Sequence, residues 1–141
     1  YDQVLWLDAT HFENIMEVGT MNIFFKINGK FITPILDGSV LAGITRSSVI
    51  DLLRYKGYEV YERTISMKEI LEASENNSLE EAFGTGTAVG IAMIEEIGYK
   101  NLFIHLPAEN PVATMVNETI NRIKVQEEAD PFGWTIPVLT N

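Results

Sequence analysis

The amino-acid sequence predicts a single α+β domain in which short strands, paired in mixed or antiparallel sheets, pack against helices. Two observations predict this class. Several short runs alternate apolar and polar residues as strands do, and turn residues separate them at hairpin distance. Three other segments carry apolar residues at helical spacing, each with start or stop signals. The chain has 141 residues, enough for one domain with a real core, so residues 1–141 are assigned to a single domain.

The first part of the chain is predicted to be strands. Residues 4–7 are a short apolar run typical of a buried strand, and residues 15–27 alternate like one long strand. Asn28 and Gly29 then predict a type I′ hairpin turn, after which residues 30–33 return antiparallel. In the long run, Glu17 shares its side with apolar residues, where an ionised carboxylate is costly without a partner. Glu17 therefore either lies at a strand end in water or awaits a partner that the chain itself does not supply.

Helix signals follow. The first helix is predicted to begin at Ile44 or Thr45 and to end before Gly57, a natural C-terminal stop. Its apolar stripe, expected to face the core, consists of Ile44, Val49, Leu52 and Leu53. Residues 66–69 form a capping box that opens a second helix to about residue 75. Asn110 and Pro111 are an N-cap and first helical position typical of a third helix.

The segments between these helices are less regular. Residues 58–65 alternate as a strand, and residues 78–81 repeat the capping pattern for one short helical turn. Residues 82–88 are predicted to be a small-residue turn before the apolar run 89–94, and residues 102–106 to be a further strand.

Charge and composition exclude several kinds of function. The net charge of −10 argues against non-specific binding to nucleic acid and against anionic membrane surfaces. The chain has no cysteine, so disulfides, a thiolate nucleophile and cysteine-ligated zinc are excluded, which fits a reducing compartment weakly. No apolar run is long enough to span a membrane, and no signal peptide is predicted. His11 and His105 lack companions at ligand spacing, so no metal site is expected.

Two loops are candidates for binding an anion through backbone N–H groups. Residues 43–45 lead into a predicted helix start, where amides and the helix dipole favour a phosphate. Residues 84–87, Gly-Thr-Gly-Thr, allow close backbone approach and add hydroxyl donors. Neither loop matches a Walker A motif or a dinucleotide fingerprint. Taken alone, each is better explained as a structural turn.

Taken together, five blocks carry a resemblance to a known family. The blocks are residues 4–7 (Val-Leu-Trp-Leu), 17–22 (Glu-Val-Gly-Thr-Met-Asn), 43–46 (Gly-Ile-Thr-Arg), 62–63 (Glu-Arg) and 83–88 (Phe-Gly-Thr-Gly-Thr-Ala). In this order, and through the closing Asp-Pro-Phe-Gly-Trp at 130–134, they resemble the C-terminal domain of branched-chain amino acid aminotransferases. These are fold type IV enzymes of pyridoxal 5′-phosphate. The resemblance implies a D-amino acid aminotransferase-like fold and transfer of the amino group of leucine, isoleucine or valine to 2-oxoglutarate.

The resemblance also implies roles for single residues. Glu17 matches the catalytic acid that faces the pyridine nitrogen of the cofactor and keeps it protonated, so that the ring stabilises the carbanion left when the substrate Cα–H is lost. Ile44 and Thr45 match the helix-start amides that hold the cofactor phosphate, and Thr87 completes that cradle. Leu41 matches the apolar residue packed against the ring.

Substrate and assembly follow from the same resemblance. Thr87 and Ala88 resemble the turn whose amides meet the substrate carboxylate, and Met21 is expected near the substrate pocket. The implied partners are a small amino acid and a 2-oxo acid. Nucleic acid, membrane and metal are not expected as partners, on the grounds of charge and histidine spacing given above. We expect a cytoplasmic homodimer or higher oligomer. Residues 89–92 replace the Cys-x-x-Cys pair of some animal members, so thiol redox control is not expected.

The Schiff-base lysine of the family lies several tens of residues before the block at 17–22, so the resemblance places it, with the smaller N-terminal domain, upstream of this chain. The chain alone is therefore expected not to turn over substrate. Its own lysines are interpreted as surface cations; they are Lys26, Lys30, Lys56, Lys68, Lys100 and Lys124.

Other hypotheses remain open at this point. The nearest alternative is another fold type IV enzyme, such as a D-amino acid aminotransferase or an aminodeoxychorismate lyase. The residues at 17–22 and 83–88 favour the branched-chain group. The alternative from a different class is a non-catalytic domain that binds phosphate-bearing ligands, or a folded interaction module.

Overall fold

The computed structural model describes residues 2–136 and residue 138, and these form nine strands and three helices. In chain order the elements are β1 (Leu5–Leu7), β2 (Ile15–Val18), β3 (Asn22–Ile27), β4 (Lys30–Thr33), α1 (Ile44–Tyr55), β5 (Val60–Glu62), α2 (Met67–Glu75), β6 (Leu79–Gly86), β7 (Gly90–Met93), β8 (Glu96–Tyr99), β9 (Leu102–His105) and α3 (Pro111–Lys124). None of the helices described is both long and apolar enough to cross a bilayer.

A five-stranded sheet with the order β5-β4-β3-β6-β7 forms the centre of the domain. Strands β4 and β5 pair in parallel, whereas the other neighbours in this sheet are antiparallel. Two separate antiparallel hairpins, β1-β2 and β8-β9, complete the strands. The predicted α+β class with mixed sheets is therefore confirmed.

The core lies on both faces of this sheet, because alternate residues of β3 point to opposite sides. Phe24 stacks on Phe83 with ring centroids 5.2 Å apart, and both pack with α1 and α3. Ile23 and Phe25 instead belong to the cluster that contains Ile70 of α2 and apolar residues of the two hairpins. Burial on both faces explains why β3 is nearly continuous in apolar residues.

Residues 15–27 are not one strand, contrary to the prediction. A two-residue turn at Gly19 and Thr20 separates β2 from β3, and Val18 and Met21 exchange backbone hydrogen bonds of 2.8 and 2.9 Å across it. Gly19 has a φ of 57°, a conformation that glycine adopts at little cost. Because the chain reverses direction at this turn, the alternation of sides does not continue from β2 into β3. Glu17 is therefore half-buried rather than on a continuous apolar side.

Several local predictions are confirmed. Asn28 and Gly29 both have positive φ, at 50° and 75°, as a type I′ hairpin requires. Ser66 and Glu69 form both hydrogen bonds of the capping box at the start of α2. Helix α1 ends before Gly57, whose φ is 92°.

Other local predictions are wrong. Ile44 is 79% exposed and does not belong to the buried stripe of α1, because it is the first residue of the helix. The stripe consists of Val49, Leu52 and Leu53, with Ile50 beside them. Residues 78–81 are not a helical turn: from Leu79 they belong to β6, where pairing with β3 overrides the local capping pattern. Of the predicted strand 58–65, only β5 pairs.

The start of α3 is stabilised in a way that the sequence did not predict. Pro111 is the first helical residue as predicted, but the Asn110 side chain makes no capping hydrogen bond. The carboxylate of Glu81 in β6 instead accepts from the amides of Val112 at 3.3 Å and Ala113 at 2.9 Å. Glu81 is 1% exposed, and an anion is favoured at a helix N-terminus.

Lys26 forms ion pairs with Glu81 and with the neighbouring Glu80. It is largely buried and is therefore not a surface cation, contrary to the prediction. Its Nζ lies 3.0 Å from the carboxylate of Glu80 and 3.5 Å from that of Glu81. Burial opposes the charged form, but the hydrogen bond and the attraction of the two glutamates outweigh it and raise the pKa of Lys26.

Candidate functional site

Glu17, the acid singled out from the sequence, lies at the end of β2 and binds the loop that leads into α1. Its Oε1 accepts a hydrogen bond of 2.6 Å from the backbone amide of Leu41. Neither placement expected for Glu17 describes this contact, because the acid is half-buried at the strand end and the chain's own backbone supplies its hydrogen-bonding partner. Its partner Leu41 lies two residues before Gly43, the N-cap of α1.

Asn22, the first residue of β3, binds the same loop. Its Nδ2 donates to the carbonyl oxygen of Leu41 at 2.7 Å, and the amide of Gly43 donates to that oxygen at 3.0 Å. Asn22 is 4% exposed. A Cβ atom added at Gly43 would lie 2.4 Å from Oδ1 of Asn22, so only glycine fits at this N-cap without displacing Asn22.

The start of α1 differs from the starts of the other two helices. Among the described residues, Ser66 caps α2 and Glu81 caps α3, whereas α1 has neither a side-chain cap nor an acidic residue in its first turn. The first-turn amides of α1, which include those of Ile44 and Thr45, are thus left without a side-chain acceptor. Helix N-termini in this condition bind anions, because both the N–H groups and the helix dipole favour negative charge.

The second glycine-rich segment, residues 84–87, is connected through Asn22 to the loop that precedes α1. Thr85 of β6 pairs with Asn22 of β3, and Gly86 pairs with Gly90 at the end of the β6-β7 hairpin. Thr87 and Ala88 follow in the exposed turn of that hairpin. The predicted phosphate and substrate residues at 87–88 therefore extend from the end of the strand that neighbours Asn22.

Met21 lies beneath this segment and is 9% exposed. Cβ atoms added at Gly84 and Gly86 would come within 3.1 Å of Sδ and 3.2 Å of Cγ of Met21, respectively. The two glycines thus make room for the methionine, which also packs in the core with Ile23 and Val18. Met21 supports the strand that carries the turn and presents little surface of its own.

Glu17 also contacts an open cleft of about 690 Å³. Glu17 and Gly19 line it, together with Trp6, Asp37, Ser39 and the loop after β1. The structure does not bring Leu41, Ile44, Thr45, Thr87 or Ala88 into the lining of this cleft.

Trp6 forms one wall of the cleft. It pairs directly with Glu17 in the β1-β2 ladder, and its Nε1 donates to the carbonyl of Gly19 at 3.1 Å. The indole is 54% exposed, so this hydrogen bond rather than burial fixes its orientation over the turn.

The loop after β1 also lines the cleft and is organised by Asp8. The amides of Asn14, His11 and Glu13 donate to the Asp8 carboxylate at 2.7, 2.8 and 2.9 Å. These hydrogen bonds stabilise the charged form and lower the pKa of Asp8 to about 2. Asp8 therefore serves to fold the loop and stays ionised.

Within the described residues, no group of three or more potential metal-ligating side chains converges. The two histidines each contact one carboxylate instead: Nδ1 of His11 lies 3.7 Å from Asp8, and Nδ1 of His105 lies 3.0 Å from Glu96.

Sequence comparison identifies the family. The sequence model of the family described as amino-transferase class IV matches residues 1–97, which is more than half of the chain. The chain belongs to the class IV aminotransferases. A class IV relative, branched-chain-amino-acid aminotransferase 2 of Bacillus subtilis, is 47% identical over 98% of this chain. The chain spans 39% of the length of that relative.

Solved structures support the same class IV assignment. The branched-chain amino acid aminotransferase of Escherichia coli matches with a TM-score of 0.79 and 26% identity, over 95% of this chain and 41% of that one. An aminotransferase from Brucella abortus, crystallised with the cofactor PLP, matches with a TM-score of 0.69 and 28% identity, over 86% of this chain and 39% of that one. The predicted fold type IV architecture is therefore confirmed.

Two residues of this class IV domain, Asn22 and Glu81, were not predicted to have special contacts. Each is a polar side chain in a strand whose neighbours are mostly apolar, and a buried polar group requires a hydrogen-bonding partner. That signal marks Asn22 in the sequence but does not name its partner, whereas Glu81 stands beside Glu80 in a segment predicted to be a helical turn and carries no such signal.

Proposed function

We propose that this chain is the cofactor-binding domain of a branched-chain amino acid aminotransferase that uses pyridoxal 5′-phosphate. The whole protein would move the amino group of leucine, isoleucine or valine to 2-oxoglutarate. One observation carries the proposal: the carboxylate of Glu17 is hydrogen-bonded at 2.6 Å to Leu41, close to the start of α1, which none of the described side chains caps. The names of the relatives and the PLP-bound Brucella aminotransferase support the reaction and the cofactor.

The residues present fit this cofactor. It has a ring nitrogen that takes up a proton and, elsewhere on the ring, a phosphate, so its site needs both an anion and a set of N–H donors. Glu17 supplies the anion, and the first turn of α1 supplies the donors. The side chain of Leu41 is 65% exposed beside the acid and is free to cover an aromatic ring.

When bound, the cofactor supplies a protonated ring that stabilises negative charge at the substrate Cα. Glu17 would hold the proton on the ring nitrogen. The amides of Ile44 and Thr45 and the hydroxyl of Thr87 would hold the phosphate, and the amides of Thr87 and Ala88 would orient the substrate carboxylate.

Met21 would support the substrate pocket without lining it, since its side chain packs against Gly84 and Gly86 ahead of the turn that carries Thr87. Assembly into a homodimer or higher oligomer and a cytoplasmic location belong to the same proposal. Exposed apolar side chains such as Trp6, Ile44 and Phe103 are consistent with an interface.

The test is an amino-transfer assay of the full-length protein, with glutamate formation from 2-oxoglutarate as the readout. We expect turnover with L-leucine, L-isoleucine and L-valine. Turnover of D-alanine instead, release of pyruvate from aminodeoxychorismate, or binding of the cofactor without turnover would each contradict the proposal in favour of a different function.

A variant of the acid sharpens this test. Glu17→Gln keeps the shape of the side chain but removes its charge, and should lower kcat/KM by about 100-fold or more. Glu13→Gln is the matched control, because Glu13 is exposed in the neighbouring loop and does not line the cleft. Equal effects of the two variants would argue against a role for Glu17.

A further inference from the structure

We propose that Asn22 is a positioning residue of this site, which fixes Glu17 relative to the first-turn amides of α1 by holding Leu41 between them. This inference rests on the proposed function, because it assigns Asn22 a part in binding the same cofactor. Asn22 itself would touch neither cofactor nor substrate.

Both backbone polar groups of Leu41 are bound by residues of the β2-β3 hairpin. Glu17 accepts from the Leu41 amide at 2.6 Å, and Asn22 donates to the Leu41 carbonyl at 2.7 Å. The two-residue turn at Gly19 and Thr20 sets the spacing between these side chains. Any displacement of Leu41 would therefore move or release the carboxylate of Glu17.

The same carbonyl connects the hairpin to the helix. The amide of Gly43 donates to the Leu41 oxygen at 3.0 Å, and Oδ1 of Asn22 occupies the space where a Gly43 side chain would lie. Gly43 is the N-cap of α1. Asn22 thus contacts the loop on one side of the helix start and the N-cap itself.

Apart from Asn22 and Glu17, the loop is held near its two ends, where Pro34 and Val40 are buried and Arg46 donates to the Pro34 carbonyl at 3.1 Å. Residues 34–43 contain no helix or strand, and residues 35–39 are all exposed. Asn22, by contrast, is almost fully buried, so its amide must keep a hydrogen-bonding partner to offset the loss of water. A buried, bonded amide in a rigid strand fixes the loop more tightly than the exposed loop residues can.

Asn22 also connects to the third part of the site. Its backbone pairs with Thr85, two residues ahead of Thr87. Asn22 therefore connects to all three parts of the site: to the acid through Leu41, to the helix start through Gly43, and to the turn at 87–88 through Thr85. A residue in this position controls how the two ends of a rigid ligand match the two ends of its site.

The experiment measures binding of 4-deoxypyridoxine 5′-phosphate to the full-length protein by calorimetry. This probe has the ring nitrogen and the phosphate but no aldehyde, so its affinity does not depend on a lysine. Asn22→Leu keeps the size of the side chain and removes its donor, and we expect it to weaken binding about 10-fold or more. Thr33→Val is the matched control, because the Thr33 hydroxyl is also buried and also donates to a carbonyl, that of Ile23 at 2.8 Å. We expect the control to change the affinity less than about 2-fold.

A double-mutant cycle separates positioning from a general loss of stability. If Asn22 acts on Glu17 through Leu41, Glu17→Gln should cost less affinity in the Asn22→Leu protein than in the wild type. The effects of Glu17→Gln and Thr33→Val should add. Asn22→Leu should also shift the ¹⁵N resonance of the labelled ring nitrogen toward its unprotonated value, which a purely structural role would not do.

The outcomes distinguish the two proposals. If the wild type does not bind the probe, the proposed function fails and this inference falls with it. If the wild type binds and Asn22→Leu matches Thr33→Val, or its effect adds to that of Glu17→Gln, the role of Asn22 is overturned while the proposed function stands. If Asn22→Leu does not fold, Asn22→Asp replaces it: this variant keeps the shape but turns an acceptor toward the Leu41 carbonyl, and unchanged affinity would overturn the inference equally.

Discussion

The carboxylate of Glu81 accepts a hydrogen bond of 2.9 Å from the amide of Ala113, 32 residues further along the chain. A buried acid in the central sheet thus caps the N-terminus of α3, while Lys26 lies 3.5 Å from the same carboxylate. This contact fixes α3 against β6. Of the three helices that the structure describes, α1 is the one whose N-terminus has no side-chain cap.

Glu81→Ala should therefore destabilise the protein strongly. It removes the cap of α3 and one of the two partners of Lys26, and the loss of one member of a buried pair costs about 3 kcal/mol or more. The free energy of unfolding in urea measures this. Asn110→Ala is the control: its side chain does not cap α3, so the change should stay within about 0.5 kcal/mol. A larger loss for Asn110→Ala than for Glu81→Ala would contradict the assignment of the cap.

Gly43→Ala should weaken binding of 4-deoxypyridoxine 5′-phosphate to the full-length protein about 10-fold. Gly43 has a φ of −69°, which alanine adopts readily, so the effect is steric. The new methyl group would lie 2.4 Å from Oδ1 of Asn22 and would displace the amide that holds Leu41. Calorimetry measures the affinity.

Gly57→Ala provides the comparison for that experiment. Gly57 has a φ of 92° and open space around it, so alanine should cost about 1 kcal/mol of stability through backbone strain without changing probe affinity. If both variants change affinity alike, stability rather than the contact between Gly43 and Asn22 controls binding.

Asp8→Asn should reduce stability at neutral pH and flatten its dependence on pH in acid. Amides of Asn14, His11 and Glu13 lower the pKa of Asp8 from 3.8 to about 2 in the folded protein. The charged form is thus favoured by folding, and its contribution is present above pH 3.8 and is lost as the pH falls through about 2. Urea midpoints between pH 7 and pH 2 measure the difference. Parallel curves for the variant and the wild type would show that Asp8 does not supply this dependence.

Reaction of this 141-residue chain with pyridoxal 5′-phosphate, followed by borohydride, should label no single lysine stoichiometrically. None of the lysines that the structure describes lines the cleft beside Glu17, and Lys26 is held by two glutamates. Peptide mapping by mass spectrometry should find only scattered, substoichiometric adducts on exposed lysines. One fully labelled lysine would mean that the chain carries its own covalent anchor for the cofactor.

Much of the fold was predictable because its signals are local. The turn at Asn28 and Gly29, the capping box of Ser66 and Glu69, and the end of α1 before Gly57 each depend on residues a few positions apart. Each such signal selects a backbone conformation or closes a hydrogen bond within one turn of chain. Where a local signal conflicted with strand pairing, as at residues 78–81, the pairing prevailed because it satisfies more backbone groups at once.

By itself, the sequence determined the class of the fold, the starts of the three helices and the residues that resemble the aminotransferase blocks. Only the tertiary structure decided which groups meet: that Glu17 binds the amide of Leu41, 24 residues away, and that Glu81 rather than Asn110 caps α3. Contacts over such separations depend on how strands and helices pack around a shared core, since a buried polar group takes whichever partner that packing brings within reach. The sequence marks Glu17 as needing a partner, and the packed chain supplies it.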